Sequence, residues 1–178
     1  MMGYTPNQIS PTKVDLTNTQ LRYIPQDNRT GYVQSWHLTV QRELGKDLVL
    51  DVAYVGNHSV KVMILGDANQ ARAQNPNENT GLNARRPYQG FAGIEEAWGA
   101  GFSIYHGLQV KLEKKYSAGL YLLNSFTWSK VIDNAAGHLE VSNGDNSRVN
   151  YNDLRNEKGV GSYNQPFNDT TTLVYDLP

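Results

Sequence analysis

From Trp36 onward, apolar and polar residues take turns at every second position. They do so in paired segments, which confines the chain to a sheet with two unlike faces. Trp36, Leu38 and Val40 fall on one side of the first segment, and His37, Thr39 and Gln41 on the other. A short turn at Leu44-Gly45-Lys46-Asp47 follows, with Gly45 expected to take the unusual backbone angle. The second segment sets Leu48, Leu50, Val52 and Tyr54 against Asp51 and Ala53, with Val49 and Val55 blurring the polar side. The pair predicts a tight hairpin.

The unit returns 72 positions later (108 − 36). Leu108, Val110 and Leu112 alternate with Gln109, Lys111 and Glu113, and the turn is Tyr116-Ser117-Ala118-Gly119. Leu120, Leu122, Phe126 and Trp128 then alternate with Tyr121, Ser125, Thr127 and Ser129. Asn124 is the one polar residue on the apolar side of that segment. A fifth segment sets Leu173, Tyr175 and Leu177 against Thr172, Val174 and Asp176. The predicted strands lie near 32–43, 48–56, 104–116, 120–131 and 168–177, with residues 1–30 as a lead-in loop and 31–178 as the folded part.

Alternation alone fits a soluble β-sandwich as well as a barrel wall. The connections separate them. Two are about three or four residues long, whereas the others span 47 residues (57–103) and 34 residues (132–165). A compact soluble domain rarely carries structureless loops beyond about 12–15 residues. Short turns at one end and long loops at the other belong to outer-membrane barrels, whose strands need about 9–11 residues to cross. Aromatic residues agree, with Tyr116 and Tyr175 near the short turns and Tyr54, Phe126 and Trp128 near the long loops. The expected fold is all-β: an antiparallel up-and-down meander, a fragment of a large outer-membrane β-barrel with two long loops.

Composition excludes several classes. Mean hydropathy is −0.57, and the longest apolar run is the four residues 62–65, far short of the ~20 that a membrane helix needs. Residues 1–10 lack the basic start and apolar stretch of a signal peptide. Sixteen basic against 17 acidic residues leave no field to attract nucleic acid. With no cysteine there is no disulfide, thiolate zinc site or cysteine nucleophile.

Several segments resemble TonB-dependent receptors of acidobacteria and related soil bacteria. They are YVQSWHLTVQREL at 32–44, DVAYVGNH at 51–58, YHGLQVKLEKKY at 105–116 and SFTWSKVIDN at 125–134. YNDLRNEKG at 151–159, NQAR at 69–72 and RRPY at 85–88 match pieces of that family's long loops. The likeness runs in order through most of residues 26–178. It implies the C-terminal barrel region of a receptor with a carboxypeptidase-regulatory-like domain, a plug and a barrel of about 22 strands. It also implies TonB-driven uptake of bulky nutrients such as siderophores or glycans across a Gram-negative outer membrane. The expected partners are membrane lipid and the remaining barrel. Five strands cannot close such a ring. The chain is therefore expected to be a piece of a receptor without transport of its own: a truncated frame, a partial gene from environmental DNA or an excised segment.

The residues also offer candidates for other chemistry. Glu95-Glu96 is the obvious carboxylate pair for a small hydrolase acting on a glycan or ester, with His106 as a base. Adjacent strand residues point to opposite faces, so solvated loop charge is the plainer reading. Asp133 with Glu140 is a looser pair. Of the four histidines (His37, His58, His106, His138), no two have helical metal spacing, and His37 and His106 are expected on or beside the lumen side. Asp145, Asn146 and Asp153 offer hard oxygen ligands for calcium, in a loop where such residues are common anyway. No cofactor is expected. A third reading is a binding module that self-associates through exposed strand edges.

Overall fold

The computed structural model describes residues 20–134 and 149–177. Its strands are β1 (Leu21–Tyr23), β2 (Tyr32–Gly45), β3 (Leu48–Asp67), β4 (Ile94–Ser117), β5 (Leu120–Asp133), β6 (Gly159–Val160) and β7 (Phe167–Tyr175). One turn of 3-10 helix occupies Asn83–Arg85. β2, β3, β4, β5 and β7 pair in that order, each antiparallel to the next, which is the expected meander. Beyond the end of β7, β6 continues along the same edge of β5. One pairing departs from the meander: β1, inside the stretch read as a lead-in loop, lies parallel to β4.

Both short turns hold two residues. Ala118 (φ 50) and Gly119 (φ 73) have the two positive angles that match the twist of flanking strands. In the other turn the left-handed residue is Asp47 (φ 65), not Gly45. A short polar side chain tolerates that conformation.

The register makes the two faces continuous across the sheet. One row reads Leu38, Tyr54, Leu108, Trp128 and Phe167; the next reads Val40, Val52, Val110 and Phe126. On the opposite face lie Thr39, Ala53, Gln109, Thr127 and Asn168, then Gln41, Asp51, Lys111, Ser125 and Thr170. Lys111 reaches Glu113 at 3.0 Å and Asp51 at 3.8 Å on that polar side. Among the described residues nothing covers the apolar side, with Leu38 66% and Trp128 58% exposed. Its polar residues include a cross-strand cluster in which the Asn124 amide donates to Asp169 and Thr171, each at 2.8 Å. Trp36 lays its indole over Gly56 of the facing strand, where any Cβ would overlap it. β2 and β7 each have one neighbour among the described residues, so the described sheet is open.

β3 and β4 are longer than alternation suggests. β3 runs on to Asp67 and β4 begins at Ile94, so much of the 57–103 connection is strand. β2 stops opposite Val60 and β5 opposite Ser103, so the hairpin projects past both neighbours. At the base of the projection the register shifts twice, around Lys61 (φ 56) and Ala100. Each bulge adds one residue, which interchanges the faces. This hid the projection from a period-two reading. The buried apolar residues Ile64, Ala97 and Val149 all belong to the projection and what packs on it.

Candidate functional site

Two flanking segments hold the projecting hairpin. β1 docks on the β4 edge, where the Leu21 amide donates to the Gly93 carbonyl at 3.0 Å. On the β3 edge, the Val149 amide donates to Leu65 at 3.1 Å. Glu95 and Glu96 therefore sit in a strand, at 1% and 8% exposure, and not in a solvated loop. Their side chains point to opposite faces, as adjacent strand residues must. Glu95 accepts Arg22 Nε at 2.7 Å and Gln20 Nε2 at 2.5 Å. Glu96 accepts the Tyr151 hydroxyl at 2.6 Å and the Tyr23 hydroxyl at 3.0 Å. The bond to Glu96, then burial, raises the Tyr151 phenol above its ordinary value; burial first and then Glu96 raise that of Tyr23. Trp98 packs on Tyr151 with ring centres 5.2 Å apart, above Gly66, where a Cβ would stand 2.8 Å from the indole.

The loop between β3 and β4 is stapled by side chains. Asn69, fully buried, donates to the carbonyls of Tyr88, Phe91 and Ala92 (2.8–3.2 Å) and accepts the Tyr88 amide at 2.8 Å. Gln70 ties this loop to the next, donating to Asn150 at 3.0 Å and accepting the Tyr151 amide at 2.8 Å. Arg72 pairs through both guanidinium nitrogens with Glu78, which also accepts the Thr80 hydroxyl. Those donors hold the Glu78 carboxyl down at about 2. At the base, Asn134 accepts the Phe102 amide at 2.8 Å and donates to the Ala100 carbonyl at 3.3 Å, bracing the bulge. The short motifs around Asn69, Tyr151 and Asn134 are thus structural fasteners of the outer end. Spacing gave no sign of this, because each partner lies far away in the chain.

His106 does not lie on the polar side, the side expected to line the lumen. It pairs with Gly56 and Lys130 on the apolar side, and its Nδ1 lies 2.7 Å from the Tyr54 hydroxyl. Ten residues separate it from Glu96, about 33 Å along a strand, so Glu95, Glu96 and His106 share no substrate position. His37 does lie on the polar side, opposite Val55. His58 pairs with Gln34 and Ile104. Asp133 ends β5. Asp153 binds the side chain and the backbone amide of Asn156. Asp145, Asn146, His138 and Glu140 lie outside the described residues. Among the described residues, no three or more His, Asp or Glu side chains gather as a metal would require.

The family model described as "Outer membrane beta barrel domain" matches residues 2–178. No curated protein and no solved structure matches the chain.

Proposed function

Since this chain belongs to the outer membrane beta barrel domain family, we propose that it forms wall in a TonB-dependent receptor of the acidobacterial type, serving nutrient uptake in a Gram-negative cell. The observation that carries this reading is the two-faced sheet, whose apolar side is uncovered among the described residues while its polar side holds an ion-paired lysine. A soluble sandwich would cover the apolar side with a second sheet. Here lipid covers it, and the polar side lines the lumen. From Leu120 to Lys130 is ten steps along β5, about 33 Å, or about 25 Å of height at a tilt of ~40°. That equals the apolar band of an outer-membrane barrel. Further strands of the same barrel pair with the open edges of β2 and β7. The projecting hairpin and its stapled loop stand outside the membrane and receive the ligand.

The test uses the full-length protein in bilayers. Nitroxide labels at Val110 and Gln109 should divide, the first accessible to oxygen and the second to a water-soluble nickel chelate. Nutrient uptake should fall when TonB is removed and when residues 70–91 are replaced by a short linker. Equal water access at both positions overturns the wall, and uptake indifferent to TonB overturns the receptor.

A further inference from the structure

We infer that the outward end of the apolar side is a binding site for one phospholipid of net negative charge, its acyl chain in a preformed groove and its headgroup on a set of lysines. This rests on the wall reading above. The groove has a volume of about 620 Å³. It opens because the chain between β6 and β7 leaves the edge of β5 and returns at Phe167. Its floor includes Leu108 and Trp128, and its walls include Tyr54, Pro166 and Phe167.

The excursion is fixed in place. The Ser129 amide donates to Pro166 at 2.9 Å, the Ser129 hydroxyl to Gln165 at 2.8 Å, and the Val131 amide to the Asn164 side chain at 2.8 Å. The groove is therefore ready before any ligand arrives, which lowers the ordering cost of binding.

Charge decides the occupant. Lys130 lines the groove one row outward of Trp128 on the apolar side, opposite His106. Among the described residues its ammonium has no hydrogen-bond or ion-pair partner. Two more ammonium groups stand further out on the same side. Lys61 lies 5.8 Å from the ring centre of Tyr32, and Lys158 lies 5.9 Å from that of Phe102. Tyr32 and Phe102 both pair with Val60, on the side that carries Leu108. Lys130 is thus at headgroup depth, about 25 Å above the short-turn end. Lysines above an apolar slot fit a molecule that is anionic at one end and hydrocarbon at the other.

The experiment counts lipids on the full-length protein by native mass spectrometry. Phosphatidylglycerol and phosphatidylcholine with identical acyl chains are compared, and inorganic phosphate serves as competitor. One phosphatidylglycerol should remain bound after detergent exchange, and phosphatidylcholine should bind more weakly. Lys130→Gln should lower phosphatidylglycerol affinity about fivefold. Trp128→Ala should weaken both lipids alike, and millimolar phosphate should displace neither. Equal retention of the two lipids, or no change in Lys130→Gln, overturns the site; displacement by free phosphate leaves an anion site and overturns the lipid. A nitroxide at Val110→Cys separates the two failures. Oxygen access there with a failed Lys130→Gln result removes only the lipid site, whereas water access removes the wall and the site together.

Discussion

The β3–β4 hairpin is one pair of strands in two settings. Between the short turns and Lys61 it keeps its large apolar side chains outside, and its buried positions are the glycines Gly56 and Gly107. Beyond Lys61 the same strands bury Ile64, Ala97 and even Glu95, and flanking chain covers both edges. On the proposed wall reading, the inner half is built for a solvent that is itself hydrocarbon, where an exposed leucine costs nothing. The outer half follows the rules of water, in which apolar groups hide and a buried carboxylate survives because donors surround it. Two bulges mark where one regime gives way to the other.

The sharpest way to break this contrast is to place one charge on each face of the inner half. Val110→Arg puts a guanidinium at mid-wall on the lipid side and should cost about 2–4 kcal/mol. Gln109→Arg, one residue away on the polar side, should cost under about 0.5 kcal/mol. Urea unfolding of the full-length protein from bilayers measures both, and equal costs would mean that the two faces meet the same solvent.

In the outer half, Tyr151→Phe leaves the Glu96 carboxylate with one phenol donor fewer and should cost about 1 kcal/mol. Its hydrogen-exchange signature should be confined to β1 and the Val149 edge, while β5 and β7 stay unchanged. Because the folded-state value of Tyr151 is raised, its contribution is fully present below the ordinary phenol value of 10.0 and lost as pH climbs through the raised one. A Tyr151 absorbance titration at the ordinary value would remove the Glu96 bond from the account.

The smallest effect concerns the exposed loop. Glu78 should titrate at about 2, and its bonds to Arg72 and Thr80 should persist as pH falls until that value is reached. Arg72→Ala should return Glu78 toward the usual 4.5, with the Thr80 hydroxyl as remaining side-chain donor. Carboxyl-selective NMR reads both midpoints, and wall stability should not follow either.

Legibility in the sequence follows the same division. In the inner half each residue's side depends on its own parity, so Leu38, Val52, Val110 and Trp128 announce the face without reference to partners. In the outer half the partners decide. Glu95 reads as solvated charge until Arg22, 73 residues earlier, is brought beside it. Asn69 reads as loop polarity until it is seen to bind three carbonyls 19 to 23 residues away. His106 has the parity of Leu108 and Val110, and so the apolar side on which it pairs with Gly56 and Lys130; its residue type alone suggests the polar face. The two-residue turns were legible as turns, but not which residue would carry the positive angle at Asp47.

The indole of Trp36 over Gly56 bears on the width of the barrel. A strand that slips by two positions keeps every side chain on its proper face, so the alternating pattern cannot tell one such register from the next. Each slip would nonetheless change the stagger with which strands wind around the cylinder, and stagger with strand number fixes its radius. A broad ring that meets a notch at one position only removes that freedom, because two places along β3 the neighbours are Tyr54 and His58. In this way a single glycine helps to set the radius at which such a cylinder closes.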